Sequence, residues 1–92
     1  MPKRVDRNQP EIVKALRKAG CSVRSTHMIG SGFPDIVGGV RGKNYLIEIK
    51  DGDKPPSGQR LTPAEKEFFM TWKGQVNVAS TIEEALKIVG LS

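Results

Sequence analysis

Cysteine and histidine are all but missing from this chain, with Cys21 and His27 the only copies of each. That scarcity excludes an intramolecular disulfide, zinc sites assembled from Cys and His pairs, and chemistry that needs two histidines. Long apolar runs are also lacking, since no stretch of about 18 apolar residues exists to span a bilayer. The opening Met1-Pro2-Lys3-Arg4-Val5-Asp6-Arg7 has no apolar segment of the secretory type, so a cytoplasmic protein with no membrane partner is expected. Negative charge is in deficit: 15 Lys and Arg face 10 Asp and Glu, a formal charge of +5, which favours an anionic partner such as nucleic acid. Internal repeats, heptad seams and low-complexity tracts are absent. The length of 92 residues predicts one domain over 1–92, small enough that a partner subunit would help its stability.

What is present reads as an alternation of helices and short strands. Asn8-Gln9-Pro10-Glu11 opens a helix as an N-cap, a proline in the first turn and a glutamate completing a capping box, after which Ile12, Ala15, Leu16 and Ala19 form one stripe up to Gly20. Cys21 to Thr26 reads as a strand, and His27 to Gly32 as a mobile connection into a second strand ending at Val40, with a bulge expected at Gly38-Gly39. A third strand runs from Asn44 to Lys50. Residues 51–60 are polar and rich in Gly and Pro, which predicts a mobile loop too short to link domains, and residues 1–7 are expected to be flexible. Thr62-Pro63-Ala64-Glu65 starts a second helix as a capping box, with Phe68, Phe69 and Trp72 as anchors and Gly74 as its stop. Gln75 to Ala79 is a fourth strand, and Ser80-Thr81-Ile82-Glu83 opens a last helix stopped by Gly90. The predicted fold class is α/β in the order αβββαβα.

Chemistry enters through the charges on the second and third strands. Taking Gly42 as the positive-φ residue of a two-residue hairpin loop within Arg41-Gly42-Lys43-Asn44 sets Lys50 opposite Asp35 and Glu48 opposite Val37. Asp35, Glu48 and Lys50 then share one face, because residues two apart on a strand point to the same side. Two carboxylates on one face repel each other unless a cation lies between them, and carboxylates with backbone carbonyls and waters suit Mg²⁺ or Mn²⁺. The chemistry expected of such a site is phosphodiester hydrolysis, with Lys50 either orienting or deprotonating the attacking water or offsetting charge on the phosphate.

The chain over about residues 8–90 resembles a minimal virus-type replication-repair nuclease (VRR-NUC) domain of the PD-(D/E)xK superfamily. The resemblance is carried by Gly32-Phe33-Pro34-Asp35, Ile47-Glu48-Ile49-Lys50, Leu61-Thr62-Pro63-Ala64-Glu65 and Gly74. It implies a restriction-endonuclease-like mixed β-sheet flanked by helices, catalytic roles for Asp35, Glu48, Lys50 and a glutamate of the first helix, Glu11, and metal ligation by Asp35, Glu48, the Ile49 carbonyl and Glu11. The family often has Gln where this chain has Glu65, a further candidate. Stand-alone copies of this size resemble phage or prophage homodimers acting on branched DNA such as four-way junctions, which implies a Mg²⁺- or Mn²⁺-dependent endodeoxyribonuclease. Lys43, Lys54, Arg60 and Arg41 are the expected DNA contacts, and the basic residues Lys3, Arg4, Arg7, Lys14, Arg17 and Lys18 are weaker ones. Two rival expectations stand beside this: a non-catalytic basic DNA-binding module of the same fold, and a nicking or end-processing nuclease. Capping alone would account for Glu11 and Glu65, and the spacing of Phe68, Phe69 and Trp72 fits core or a dimer interface better than base stacking.

Overall fold

The structure, a computed structural model, describes residues 6–92. Lys3 and Arg4 lie outside the described residues. A four-stranded mixed sheet is flanked by three helices: α1 (Gln9–Lys18), β1 (Ser22–Ser25), β2 (Ile36–Val40), β3 (Lys43–Ile49), α2 (Pro63–Thr71), β4 (Asn77–Ala79) and α3 (Ile82–Ile88). The strands lie side by side in sequence order, β1 and β3 antiparallel to β2, and β4 parallel to β3. Two 3₁₀ turns, His27–Ile29 and Pro56–Gln59, shape the connections before β2 and α2. Among the described residues no helix is long and apolar enough to cross a membrane.

Strand alternation divides the sheet into two faces. Val23, Ile36, Ile47, Ile49 and Ala79 point to one side and meet Ile12 and Leu16 of α1 with Ala85 and Val89 at α3, forming the buried core. Ile12 and Leu16 are four apart and stack on one helical stripe, so a single face of α1 covers the sheet. Asp35, Glu48 and Lys50 point to the other side, under α2.

The hairpin register differs from expectation by two residues. Val40 pairs with Lys43 and Ile36 with Ile47, so the register continues to put Glu48, not Lys50, opposite Asp35. The loop is Arg41-Gly42, one position earlier than anticipated, with φ of 53° and 76°. Positive φ at both central residues matches the type I′ turn that suits strand twist. A slip of two keeps every side chain on its face, so Asp35, Glu48 and Lys50 still share a side. Arg41 tolerates its left-handed backbone while its guanidinium donates to the carbonyls of Val89 (3.2 Å) and Gly90 (3.1 Å), closing the end of α3. No bulge forms at Gly38-Gly39, where pairing is continuous with both neighbouring strands. Gly38 serves a close approach instead: a Cβ there would meet the Cys21 sulfur at 2.9 Å.

Asn8 does not cap α1 with its side chain, and its backbone is already helical (φ −84°, ψ −3°), so the expected box with Glu11 is not formed. Its amide donates to the carbonyls of Lys50 (3.0 Å) and Ser80 (3.1 Å), tying the start of α1 across the ends of β3 and β4.

Candidate active site

Thr26 fixes the approach to Asp35: its N–H donates to the Asp35 carbonyl (2.8 Å) and its hydroxyl to the Pro34 carbonyl (2.6 Å). The Asp35 carboxylate then crosses to β3 and accepts the Ile49 N–H at 2.6 Å. At the end of β3 the Lys50 N–H donates to Ala79 (3.0 Å), so the lysine backbone is held between β4 and Asn8. These ties deliver Asp35, Glu48 and Lys50, at 2%, 1% and 8% exposure, to one buried spot beneath α2.

Lys50 Nζ lies 2.7 Å from Glu65 Oε1 and 3.5 Å from Glu48 Oε2. Glu65 is itself buried, and the same Oε1 accepts the Thr62 N–H at 2.9 Å while the Thr62 hydroxyl accepts the Glu65 N–H at 3.2 Å. The capping box is therefore present and is also the device that aims Glu65 at the lysine. Sequence weighed capping and a site role as alternatives; one carboxylate performs both contacts. The fold that brings α2 this close depends on Gly32, whose φ is 79° and where an added Cβ would overlap the Ala64 carbonyl. Buried charges persist only when paired, and here the Lys50 ammonium is packed between the carboxylates of Glu48 and Glu65.

The remaining candidates fall in different places. Glu11 is exposed and lines a groove of about 210 Å³ with Asn8, Asp51, Gly52, Asp53 and Ser80 to Glu83, apart from the contacts that join Asp35, Glu48, Lys50 and Glu65. The acidic residue at the N-terminal side that does feel the cluster is Asp6. Partial burial pushes its carboxyl above the usual range, against the pull of Lys54 and Lys50, and the charges of Asp35 and Asp51 push the same way as burial. Asp6 precedes every recognisable helix signal, so the sequence gives no hint of this proximity. Lys54 approaches it at 3.9 Å, and Arg7 pairs with Asp51 (3.3 Å) and Asp53 (3.5 Å), which anchors the segment before α1 to the loop after β3.

Lys54 and Arg60 are exposed in the segment between β3 and α2. Lys43 and Arg41, expected near the site, sit at the hairpin turn instead. The site occupies the other end of the same ladder, about 15–20 Å away for strands of this length. Burial raises the Cys21 thiol pKa, which leaves it protonated and unreactive. Among the described residues no three Asp, Glu, His or Cys side chains converge as a metal-ligating cluster. The donor set that fits a hard divalent ion is the pair Asp35 and Glu48, both oxygen ligands on one face.

No family model and no curated protein matches the sequence. A solved structure described as a VRR_NUC domain is similar over 91% of this chain and 91% of its own length, with 27% sequence identity and a TM-score of 0.56. The chain has the VRR-NUC fold, a mixed α/β sheet flanked by helices.

Proposed function

We propose that this chain is a divalent-metal-dependent endonuclease of the VRR-NUC type, one domain over 1–92, that hydrolyses phosphodiester bonds in branched DNA as a homodimer. The observation that carries the reading is the buried set of Asp35, Glu48, Lys50 and Glu65, a concentration of charge that core packing alone does not call for. Similarity to a VRR_NUC domain supports a nuclease-type domain and hence DNA as the partner.

Asp35 and Glu48 are the residues that would hold Mg²⁺ or Mn²⁺, with the Ile49 carbonyl beside them. Such an ion, when bound, supplies a Lewis acid for the scissile phosphate. Lys50 stands between the carboxylates of Glu48 and Glu65, and its ammonium offsets negative charge on the phosphate. Glu65 holds that ammonium in place from α2. Glu11 has no place in this arrangement, and Asp6 is the acidic residue on the N-terminal side that shares its field.

The test is cleavage of labelled four-way junction, flap, nicked duplex and linear duplex DNA in Mg²⁺, Mn²⁺ or EDTA, with Lys50→Ala as control. Metal-dependent symmetrical cuts confined to the junction and absent in the variant are expected. Binding without a cut under every condition would overturn the nuclease reading in favour of a non-catalytic DNA-binding module.

A further inference from the structure

Three aromatic rings gather where α2 meets the approach to Asp35. Phe33 meets Phe68 edge-on at 5.3 Å and Trp72 edge-on at 6.2 Å, while Phe68 and Trp72 stack at 4.8 Å with 20° between their planes. None of the three belongs to the buried core among the described residues, and Trp72 remains 43% exposed beside Met70 at 78%. The indole is nonetheless held firmly. Phe68 backs one face, and Gly74 lets the chain pass its nitrogen edge, where a Cβ would meet Nε1 at 2.9 Å.

This patch is linked to the charged cluster twice. Phe33 precedes Asp35 by two residues, and Glu65 precedes Trp72 by seven on the same helical segment. At 1.5 Å of rise per residue that places the indole about 10 Å along the axis from the Lys50 partner. The same span covers about three nucleotides of a stacked strand at 3.4 Å each.

Charge says what kind of partner fits. From residue 54 to 73 the exposed charges are Lys54, Arg60, Lys66 and Lys73 against Glu67 alone, since Glu65 is buried. Lysine is depleted at protein–protein interfaces, which argues against a second chain as the occupant. Aromatic rings on a segment whose exposed charges are mostly cations are the composition that binds single strands, the bases stacking while the cations meet the phosphates.

We infer that Trp72, backed by Phe68, is a stacking platform for an unpaired base of a DNA strand, about three nucleotides from the phosphate held at Asp35, Glu48 and Lys50. The spacing rests on the proposed nuclease reading; the stacking itself does not. An unpaired base is accepted there because a pair inside a duplex has both faces already covered by its neighbours, leaving only the two end pairs open on one face.

Trp72 is the only tryptophan of the chain, so its emission reports on this surface alone. The full chain is titrated in EDTA with a short oligothymidylate and with a blunt duplex of the same length. Saturable quenching by the single strand and little by the duplex is expected. By anisotropy of a labelled oligothymidylate, Trp72→Ala weakens binding about 5- to 150-fold, and Trp72→Phe, which keeps a ring, by less. The salt slope stays as in wild type, because no phosphate contact is lost. Absence of quenching, or equal affinity in Trp72→Ala, would overturn the inference. So would emission that shifts with protein concentration without DNA and follows a rise in molecular mass, which would give the patch to a second copy of this chain. Quenching without any cleavage activity would leave the platform standing and remove the nuclease reading.

Discussion

On the side of the sheet covered by α1 and α3, the buried cluster is Ile12, Leu16, Cys21, Val23, Ile36, Ile47, Ile49, Ala79, Ala85 and Val89, with the polar Gln9 buried at the start of α1. On the side covered by α2, the buried groups are Asp35, Glu48, Lys50 and Glu65. Burial of the first kind drives folding through apolar area removed from water. The second kind costs desolvation and is repaired only by mutual pairing. Neighbouring residues of one strand, Ile47, Glu48 and Ile49, thus face opposite sides, and the sheet acts as a partition between an apolar face and a charged one. The α2 helix shows the same division: it adds Glu65 to the buried set and leaves Phe68 and Phe69 half-buried and Trp72 exposed.

The largest effect that would sharpen this partition lies on the charged side. Asp35→Ala is expected to lower metal-dependent cleavage by at least about 10²- to 10³-fold, the scale on which loss of one preorganised electrostatic group acts. It also strands the buried Ile49 N–H, for about 1–3 kcal/mol of stability. Cleavage rates with urea melts in parallel check both; unaltered cleavage would end the assignment of the site. One residue away in the strand order of faces, Ile47→Ala is expected to cost about 2–5 kcal/mol of folding stability while the folded fraction cleaves at the wild-type rate. A specific loss of cleavage in folded Ile47→Ala would break the partition.

Gly32→Ala probes the join between the two regions. The new Cβ would overlap the Ala64 carbonyl at a backbone with φ of 79°, so α2 must shift away and carry Glu65 from Lys50. A stability loss of about 1–3 kcal/mol is expected from the overpacking, with a proportionally larger loss of cleavage. If α2 docks unchanged, shown by an unaltered spectrum of Trp72 and normal cleavage, the close approach does not position the site.

Much of this plan was legible from periodicity. Alternation along Leu46-Ile47-Glu48-Ile49-Lys50 sorted apolar from charged residues, and the assignment survived a misplaced hairpin because a slip of two restores parity. Local sequence does not place the turn, because Arg41 shares positive φ with Gly42 and is compensated by its bonds to Val89 and Gly90. The Thr62-x-x-Glu65 box was visible as a local pattern, but its second use was not: Lys50 is 15 residues earlier, and only the path of 51–60 brings the two together. Asn8 departs from the capping pattern for a similar reason, since its bonds to Lys50 and Ser80 span 42 and 72 residues and replace the cap. Local rules failed wherever a side chain found a distant partner.

Arg41→Ala should remove the two bonds that close α3, for about 0.5–1.5 kcal/mol each at most, with cleavage and DNA affinity unchanged because the turn lies at the far end of the sheet from the site. A fall in DNA affinity would return Arg41 to the binding surface.

The smallest effects separate Glu11 from Asp6. Glu11 is exposed in the first turn of α1 and takes no part in a cap, so Glu11→Gln should change stability by no more than about 0.5 kcal/mol and leave cleavage as it was. Asp6 behaves otherwise because its carboxyl is raised above the ordinary 3.8, by burial first and by Asp35 and Asp51 after it, with Lys54 and Lys50 opposing. A raised acid favours its protonated form in the fold. Its contribution to stability is therefore complete below the unfolded value and lost as pH climbs through the raised folded value. Asp6→Asn removes the charge at every pH, so the variant should gain on wild type at neutral pH and not on the acid side of that window, as urea melts at the two pH values would show. The neutral-pH gain should vanish when Mg²⁺ is added if Asp6 shares the field of the ion at Asp35 and Glu48, whereas a gain indifferent to metal would separate Asp6 from the site as firmly as exposure separates Glu11.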